Sequence, residues 1–151
     1  MKKLLLAALF FVTCFASTAQ NDSPESTSEQ ANKGQKIIHR IVFQLNTDDT
    51  TVHKTLMKQL NNVFTLAPDS KMEVVCHGAG LNMLMSGKTI VQDKIQQLKD
   101  RGVVFVACEF SMSERKISKE QMIPAAGFVK GAIVEIATKQ EEGWSYIRSG
   151  F

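Results

Sequence analysis

The sequence predicts an α/β fold in which a parallel sheet is sandwiched between helices, and three observations support this prediction. Short runs rich in β-branched and aromatic residues alternate with segments of helical periodicity from about residue 36 onward. The helical segments are mostly about 10–15 residues long, as in βαβ units. One run, VVFVAC at 103–108, is apolar without alternation, which is typical of a strand buried on both faces.

The first half of this region predicts two strands joined by a helix. Residues 39–45 (HRIVFQL) and 72–76 (MEVVC) have strand composition, and HGAG follows the second run. Between them, apolar residues recur at helical spacing after the N-cap candidates of TDD at 47–49, and Pro68 ends the pattern. The residues of this stripe are Val52, Leu56, Met57, Leu60, Val63 and Phe64.

The next segment predicts a second helix and the central strand. Thr89 and Gln92 have the spacing of a capping box, and Gly102 is placed to end the helix before the strand at 103–108. Residues 109–117 are predicted to form a polar loop. A short helical turn is then expected between Ser118 and Pro124, with Ser118 and Gln121 as its cap.

The last third predicts a short strand at 128–129 and a final strand at 144–147. The segment 131–142 fits both strand and helix by periodicity, but its length and the glycine at 143 favour a helix. The order of elements is therefore five strands with helical segments between them, which indicates a parallel sheet covered by helices.

The first 35 residues have a different character. MKK, an apolar run at 4–16 and the small residues STA at 17–19 are typical of a signal peptide, so we expect cleavage after residue 19 and an exported, periplasmic or secreted protein. Residues 20–35 are predicted to be a disordered linker because they hold few apolar side chains. The remaining domain spans 36–151, and no later segment has the apolar length of a membrane span.

Charge gives no sign of a nucleic-acid or anionic-membrane partner. The chain has 18 Lys and Arg against 15 Asp and Glu, and loss of Lys2 and Lys3 with the leader lowers the net charge from +3 to +1. A nearly neutral domain with mixed charges lacks the basic surface that binds nucleic acid. No cofactor is predicted, and His39 and His53 have no second ligand at metal-binding spacing.

Two cysteines remain after the leader, and both are at strand ends. Ligands of parallel α/β folds bind at the carboxyl ends of strands, where Cys108 ends the central strand and Cys76 precedes His77 and Gly78. A thiol at helix N-termini is stabilised as thiolate, and Arg115 and Lys116 would add to this, whereas Glu109 would oppose it. Cys108 is thus the candidate nucleophile. The candidate binding residues around it are Cys76, His77, Gly78 and Glu109.

The sequence leaves two alternatives open for these thiols. Cys108 is either reactive or simply a small buried residue that completes an apolar strand. A disulfide between Cys76 and Cys108 depends on strand order: it is excluded if the first strand lies between theirs and allowed if their strands are neighbours.

Three segments of the sequence are distinctive: VVFVACEFSM at the central strand, HGAGLNML after the second strand, and the closing GAIVEIATKQEEGWSYIR. Together they resemble the DsrE/DsrF-like family of small sulfur-handling proteins. The resemblance implies a three-layer α/β/α sandwich with a mostly parallel five-stranded sheet, and homo-oligomers, often trimers or hexamers. It also implies that Cys108 matches a persulfide-carrying cysteine and that His77 lies in a segment lining its pocket. The best understood relatives work in the cytosol, whereas this chain carries a predicted export signal.

Two functions follow as hypotheses. In the first, the chain is a sulfur-transfer or thiol-redox protein, a sulfurtransferase or sulfur carrier, which holds a persulfide on Cys108 and exchanges sulfur with a donor or acceptor protein or a small sulfur species. In the second, it is a non-catalytic oligomeric binding protein that uses the same pocket. A Cys76–Cys108 redox switch is a third hypothesis.

Several loop residues are more apolar than solvent-facing loops require. They are expected either to form a subunit interface around the site or to cover the sheet ends within one subunit. These residues are Leu81, Met83, Leu84, Met85, Phe110 and Met112.

Overall fold

The computed structural model describes residues 37–150, which form a single parallel sheet with helices on both faces. The predicted signal peptide (1–19) and linker (20–35) lie outside the described residues. The strands are β1 (Arg40–Leu45), β2 (Lys71–Cys76), β3 (Val104–Cys108), β4 (Gly127–Val129) and β5 (Ser145–Ser149). The helices are α1 (Thr50–Leu66), α2 (Gln92–Asp100), α3 (Glu109–Glu114) and α4 (Ala132–Glu141), with 3₁₀ segments at Gly78–Leu84 and Lys119–Gln121.

The sheet has the strand order β4-β3-β2-β1-β5, and every neighbouring pair is parallel. The prediction of five strands is therefore confirmed, and the sheet is entirely rather than mostly parallel. The register sets Leu45 of β1 beside Cys76 of β2, and Cys76 beside Ala107 of β3. Because parallel strands need a crossover between them, α1, α2 and α4 are placed on the faces of the sheet.

The two faces of the sheet carry cores of different size. On the face that we call the α1/α2 face, strand residues such as Phe43 and Phe105 pack against Leu56 and Leu60 of α1 and Ile95 of α2. The opposite face, the α4 face, has a much smaller core. Its buried members are Val42, Val75, Val106, Cys108, Ala132 and Ile136.

Helix α1 forms as its sequence predicts. The Asp49 side chain caps it, since Oδ1 accepts a hydrogen bond of 2.7 Å from the Thr51 amide. The predicted stripe is turned to the core, where Leu56 and Leu60 are fully buried. The helix ends at Leu66, two residues before Pro68, as a proline at that position requires.

Two local predictions are wrong, and each has a physical reason. The capping box at Thr89 and Gln92 does not form, because the Thr89 hydroxyl instead accepts from the amide of Val91 at 3.3 Å; α2 consequently begins only at Gln92. The predicted polar loop at 109–117 contains helix α3, which begins as soon as β3 ends and buries Met112 against the larger core.

Two predictions in the last part of the chain are confirmed. The Ser118–Gln121 capping box is present, with both of its reciprocal hydrogen bonds. The ambiguous segment at 131–142 is helix α4, followed by Gly143 with φ of +83°, the left-handed conformation that a helix-ending glycine adopts.

The apolar loop residues mostly cover the sheet within the subunit. Leu81, Met83 and Leu84 are fully buried in the 3₁₀ segment, and Met85 and Met112 are almost so. This segment approaches β1 closely at Gly80, where a Cβ atom would lie 2.2 Å from the Leu45 carbonyl oxygen. Phe110 differs from the other loop residues, because two thirds of it remains exposed.

Candidate functional site

The site is built around Cys108, at the junction between β3 and α3. Cys108 is the last residue of the strand and also the N-cap of the helix. Its Sγ atom accepts hydrogen bonds from the backbone amides of Ser111 at 3.5 Å and Ala132 at 3.3 Å. Ser111 belongs to the first turn of α3, and Ala132 is the first residue of α4. The starts of two helices therefore direct N–H groups at one sulfur atom.

These donors change the acidity of the Cys108 thiol. Burial alone would raise its pKa, but the amides of Ser111 and Ala132, the Ser111 hydroxyl and the Phe110 amide act against burial and lower the pKa below the ordinary thiol value. The thiolate is thereby favoured at lower pH than in a free cysteine, and the thiolate is the nucleophilic form.

Cys108 is covered but shallow. Only 3% of the residue is exposed, yet the next two residues, Glu109 and Phe110, reach solvent. Ile133 and Val134, which follow Ala132 on α4, are also largely exposed. Three apolar side chains and one acidic side chain therefore reach solvent within two residues of Cys108 or Ala132.

The structure does not bring Cys76 to this site. The strands of the two cysteines are neighbours, which was the order that allowed a disulfide, but Cys76 pairs with Ala107 rather than Cys108. Successive side chains alternate between faces, so Cys76 lies in the core of the α1/α2 face while Cys108 lies on the α4 face. Both cysteines are free, and burial raises the pKa of the fully buried Cys76 thiol far above its ordinary value.

His77 continues β2 by one residue and is half-buried on the α4 face. Its amide donates to the Leu45 carbonyl at 3.0 Å, and its Nε2 atom lies 2.8 Å from Nε2 of Gln44 on β1. Burial lowers the pKa of His77, and the positive charge of Arg148 lowers it further. Both effects favour the neutral imidazole over the imidazolium.

Gly78 and Arg115 join the segment after β2 to the end of α3. Gly78 has φ of +51°, and its carbonyl oxygen accepts a hydrogen bond from the guanidinium of Arg115. The same guanidinium lies 3.4 Å from Oδ1 of Asn82. Arg115 thus has a structural partner at the site, in addition to the positive charge for which the sequence singled it out.

Glu109 is neutralised by two lysines rather than left to oppose the thiolate. Its carboxylate lies 2.6 Å from Nζ of Lys119 and 2.5 Å from Nζ of Lys130. Hydrogen bonds from Lys119 and Lys130 lower the pKa of this exposed carboxyl to about 2. The negative charge next to Cys108 is therefore permanent above that pH and is balanced locally.

Sequence reasoning missed the groups that act directly on the site. The N–H donors at Cys108 are backbone atoms, and backbone atoms have no residue signature, although the spacing from Cys108 to Ser111 is that of an N-cap and its third helical residue. Gln44 and Tyr146 were missed because they lie on strands far from His77 in sequence. Tyr146 donates a hydrogen bond through its hydroxyl to Oε1 of Gln44.

Residues 37–150 contain neither a candidate metal site nor a candidate membrane-spanning helix. No group of three His, Cys, Asp or Glu side chains is placed to hold a metal ion in that part of the chain. No helix there combines the length and the apolar content that crossing a membrane requires.

Comparison with solved structures finds proteins of the same fold, and three of them are described here. MTH1491 from Methanobacterium thermoautotrophicum, described as a protein of unknown function, is 25% identical over 73% of this chain and 98% of its own, with a TM-score of 0.70. BT1422 from Bacteroides thetaiotaomicron, described likewise, is 14% identical over 72% of this chain and 93% of its own, with a TM-score of 0.57. The ychN protein from E. coli is 13% identical over 74% and 99%, with a TM-score of 0.59.

Comparison at the level of sequence families gives one assignment. The model of the DsrE/DsrF-like family matches residues 37–148, which is most of the chain and nearly all of the described residues. No curated protein matches the chain significantly.

Proposed function

Because the chain belongs to the DsrE/DsrF-like family, which is generally associated with sulfur relay, we propose that it is a sulfur carrier that holds a persulfide on Cys108. The observation that carries this proposal is the pair of backbone amides at the Cys108 sulfur, 3.3 and 3.5 Å away. These donors favour the thiolate, which is the form that attacks sulfane sulfur.

The transfer step balances without an external oxidant. The Cys108 thiolate attacks the outer sulfur of a donor persulfide, R–S–SH, and forms a new S–S bond. The S–S bond of the donor breaks, R–S⁻ leaves as a thiolate and takes up a proton, and Cys108 carries –S–SH. Delivery to an acceptor thiolate is the same exchange in reverse, so sulfur moves while the number of sulfane sulfurs stays constant.

Intact-mass spectrometry after exposure to inorganic polysulfide tests this proposal. We expect an adduct of about 32 Da, one sulfur atom, which is removed by reductant. Cys108→Ser should abolish the adduct, whereas Cys76→Ala, the matched control on the neighbouring strand, should keep it. An adduct on Cys76, or none on the folded protein, would contradict the proposal.

A second candidate function is a non-catalytic oligomeric binding protein that uses the same region. Two observations favour it: Cys108 is only 3% exposed, and Phe110, Ile133 and Val134 present apolar surface around it. In that case Cys108→Ala should lower the free energy of unfolding without changing partner binding. Light scattering on the purified protein would give the oligomeric state, for which the family suggests a trimer or hexamer.

The place of action is part of the proposal. A leader at residues 1–19 would deliver the protein to the periplasm or the exterior, where an exposed thiolate meets oxidants. The shallow cover over Cys108 would protect a persulfide there and admit small sulfur species or a partner's thiol. Cell fractionation and N-terminal sequencing test this proposal, and a mature chain that begins at Gln20 is the expected result.

A further inference from the structure

A row of side chains joins three strands on the α4 face and ends at His77. The Tyr146 hydroxyl of β5 donates to Oε1 of Gln44 on β1, and Nε2 of Gln44 lies 2.8 Å from Nε2 of His77. With its oxygen bound to Tyr146, the Gln44 amide presents its NH₂ group to His77. An imidazole nitrogen that accepts this hydrogen bond carries no proton, so the ring proton must be on Nδ1.

The row ends beside the proposed persulfide. Cys76 pairs with Ala107, so His77 and Cys108 are the next residues along two adjacent parallel chains, and adjacent strands of a sheet lie about 5 Å apart. Both residues have extended backbone angles and follow residues of the α1/α2 face, which places their side chains on the α4 face. Among the described residues, Nδ1 of His77 has no hydrogen-bond partner.

We infer that Gln44 and Tyr146 are positioning residues, which hold His77 as a neutral imidazole protonated on Nδ1 so that it donates a hydrogen bond to the terminal sulfur of a persulfide on Cys108. This inference rests on the proposed function. His77 then acts as a donor to the anionic sulfur and not as the base that deprotonates Cys108, which the amides of Ser111 and Ala132 already favour as thiolate.

The charges around His77 agree with this role. Arg148 of β5 disfavours a second proton on the ring, and the Arg115 guanidinium at the end of α3 is bound to the carbonyl of the adjacent Gly78. Tyr146 and Cys108 also lie on this face, as do Glu73 and Lys139, which form an ion pair with each other. Among residues 37–150, no carboxylate forms a hydrogen bond or ion pair with His77 that would favour the imidazolium form.

Nitrogen-15 NMR of the histidine rings tests the tautomer without any sulfur chemistry. His53 is an internal reference of the opposite kind, because its Nε2 lies 2.9 Å from the Thr47 carbonyl and must donate. We expect the proton on Nδ1 for His77 and on Nε2 for His53. Gln44→Glu, whose carboxylate only accepts, should move the His77 proton to Nε2 and raise its titration midpoint by about 1 pH unit or more.

The persulfide itself gives the second measurement. Gln44→Leu removes the anchor of the ring, so half occupancy of the Cys108 adduct should require about tenfold more polysulfide, as expected when a hydrogen bond to a charged group is lost. Tyr146→Phe should have a smaller effect in the same direction. Ser145→Ala, on the same strand but facing away from Gln44, is the matched control and should behave as wild type.

Two results would overturn the inference, and they are distinguishable. If wild-type protein forms the adduct but His77 is protonated on Nε2, or Gln44→Leu changes neither tautomer nor occupancy, the inference fails and the sulfur-carrier proposal stands. If the wild-type protein forms no adduct, the proposed function fails. The role of His77 as a hydrogen-bond donor to the persulfide then fails as well, whatever the NMR spectra show.

Discussion

Cys76 and Cys108 end neighbouring parallel strands and differ by one position in register, yet their surroundings are opposite. Cys76 belongs to the α1/α2 face, where hydrocarbon encloses it completely and burial raises the pKa of its thiol. Cys108 belongs to the α4 face, where the starts of α3 and α4 supply amides to its sulfur. A single step in register therefore decides whether a strand-end thiol is part of the core or part of a site.

The two faces of the sheet also differ in how much of their buried surface is apolar. The α1/α2 face holds most of the hydrocarbon core, whereas the smaller α4 face also buries Glu73, which lies 3.2 Å from Nζ of Lys139 on α4. Oε1 of Glu73 has no hydrogen-bond partner among the described residues, and burial raises the pKa of this carboxyl. We conclude that the first face supplies the stability of the fold and the second carries the polar features from which a site is built.

The largest expected effect is on the stability of the two faces. Leu60→Ala on the α1/α2 face should lower the free energy of unfolding by about 3 kcal/mol, because it leaves a cavity in the larger core. Ile136→Ala on the α4 face should cost less, about 2 kcal/mol, because a smaller core collapses more easily. Urea titration measures both. Equal losses, or a larger loss for Ile136→Ala, would contradict the conclusion that the α1/α2 face contributes more to stability than the α4 face.

The next effect is on thiol reactivity. In the folded protein at neutral pH, iodoacetamide should alkylate Cys108 at least about 100-fold faster than Cys76, because the thiolate is favoured at Cys108 and disfavoured at the fully buried Cys76. A time course of peptide mapping measures the two rates. In denaturant the rates should converge, which controls for differences of sequence context. Comparable rates in the folded state would contradict the contrast between the two thiols.

A smaller effect is expected from the hydroxyl of Ser111. Ser111→Ala should raise the pKa of Cys108 by about half a unit, the size expected for loss of one modest hydrogen bond. Ser113→Ala, an exposed serine on the same helix, is the control and should leave the pKa unchanged. The pH dependence of Cys108 alkylation gives both values, and a shift that is equal in the two variants would contradict the assignment.

The smallest effect is the pH dependence due to Glu109. Its pKa is lowered from the ordinary 4.5 to about 2 in the folded state, so its contribution to stability is present above pH 4.5 and is lost as pH falls toward 2. The loss should be small, because the carboxyl and its lysine partners are exposed and screened by solvent. Glu109→Gln should reduce the pH dependence of the free energy of unfolding between pH 5 and 2 relative to wild type, as measured by denaturant titration at each pH. The same pH dependence in the variant and the wild type would contradict this assignment.

The sequence was sufficient for the elements whose signals are local. The apolar strand at 103–108, the stripe of α1 and the Ser118–Gln121 cap depend on neighbours in the chain, and all three are present. Helix α3 was missed because a segment of six mostly polar residues shows too little periodicity. Helix α2 was predicted to begin too early because the Thr89 hydroxyl accepts a hydrogen bond from the nearby Val91 amide and does not cap the helix.

The site was predicted only in part, for a different reason. Cys108, His77, Gly78 and Glu109 were singled out because strand ends are local features, and in the structure all four lie at the carboxyl ends of β2 and β3. Which face each thiol occupies depends on register between strands, and this separated Cys76 from the others. The row from Tyr146 through Gln44 to His77 joins residues about 100 positions apart, and no single segment carries its signal.

The pKa of Cys108 tests the central claim most directly. In Cys76→Ala protein, where Cys108 is the one cysteine left among residues 37–150, the rate of alkylation of Cys108 is measured by peptide mapping against pH under native conditions. The account predicts a single titration with a midpoint below 9.0, the ordinary thiol value, because the amides of Ser111 and Ala132 outweigh burial. A midpoint at or above 9.0 would contradict it.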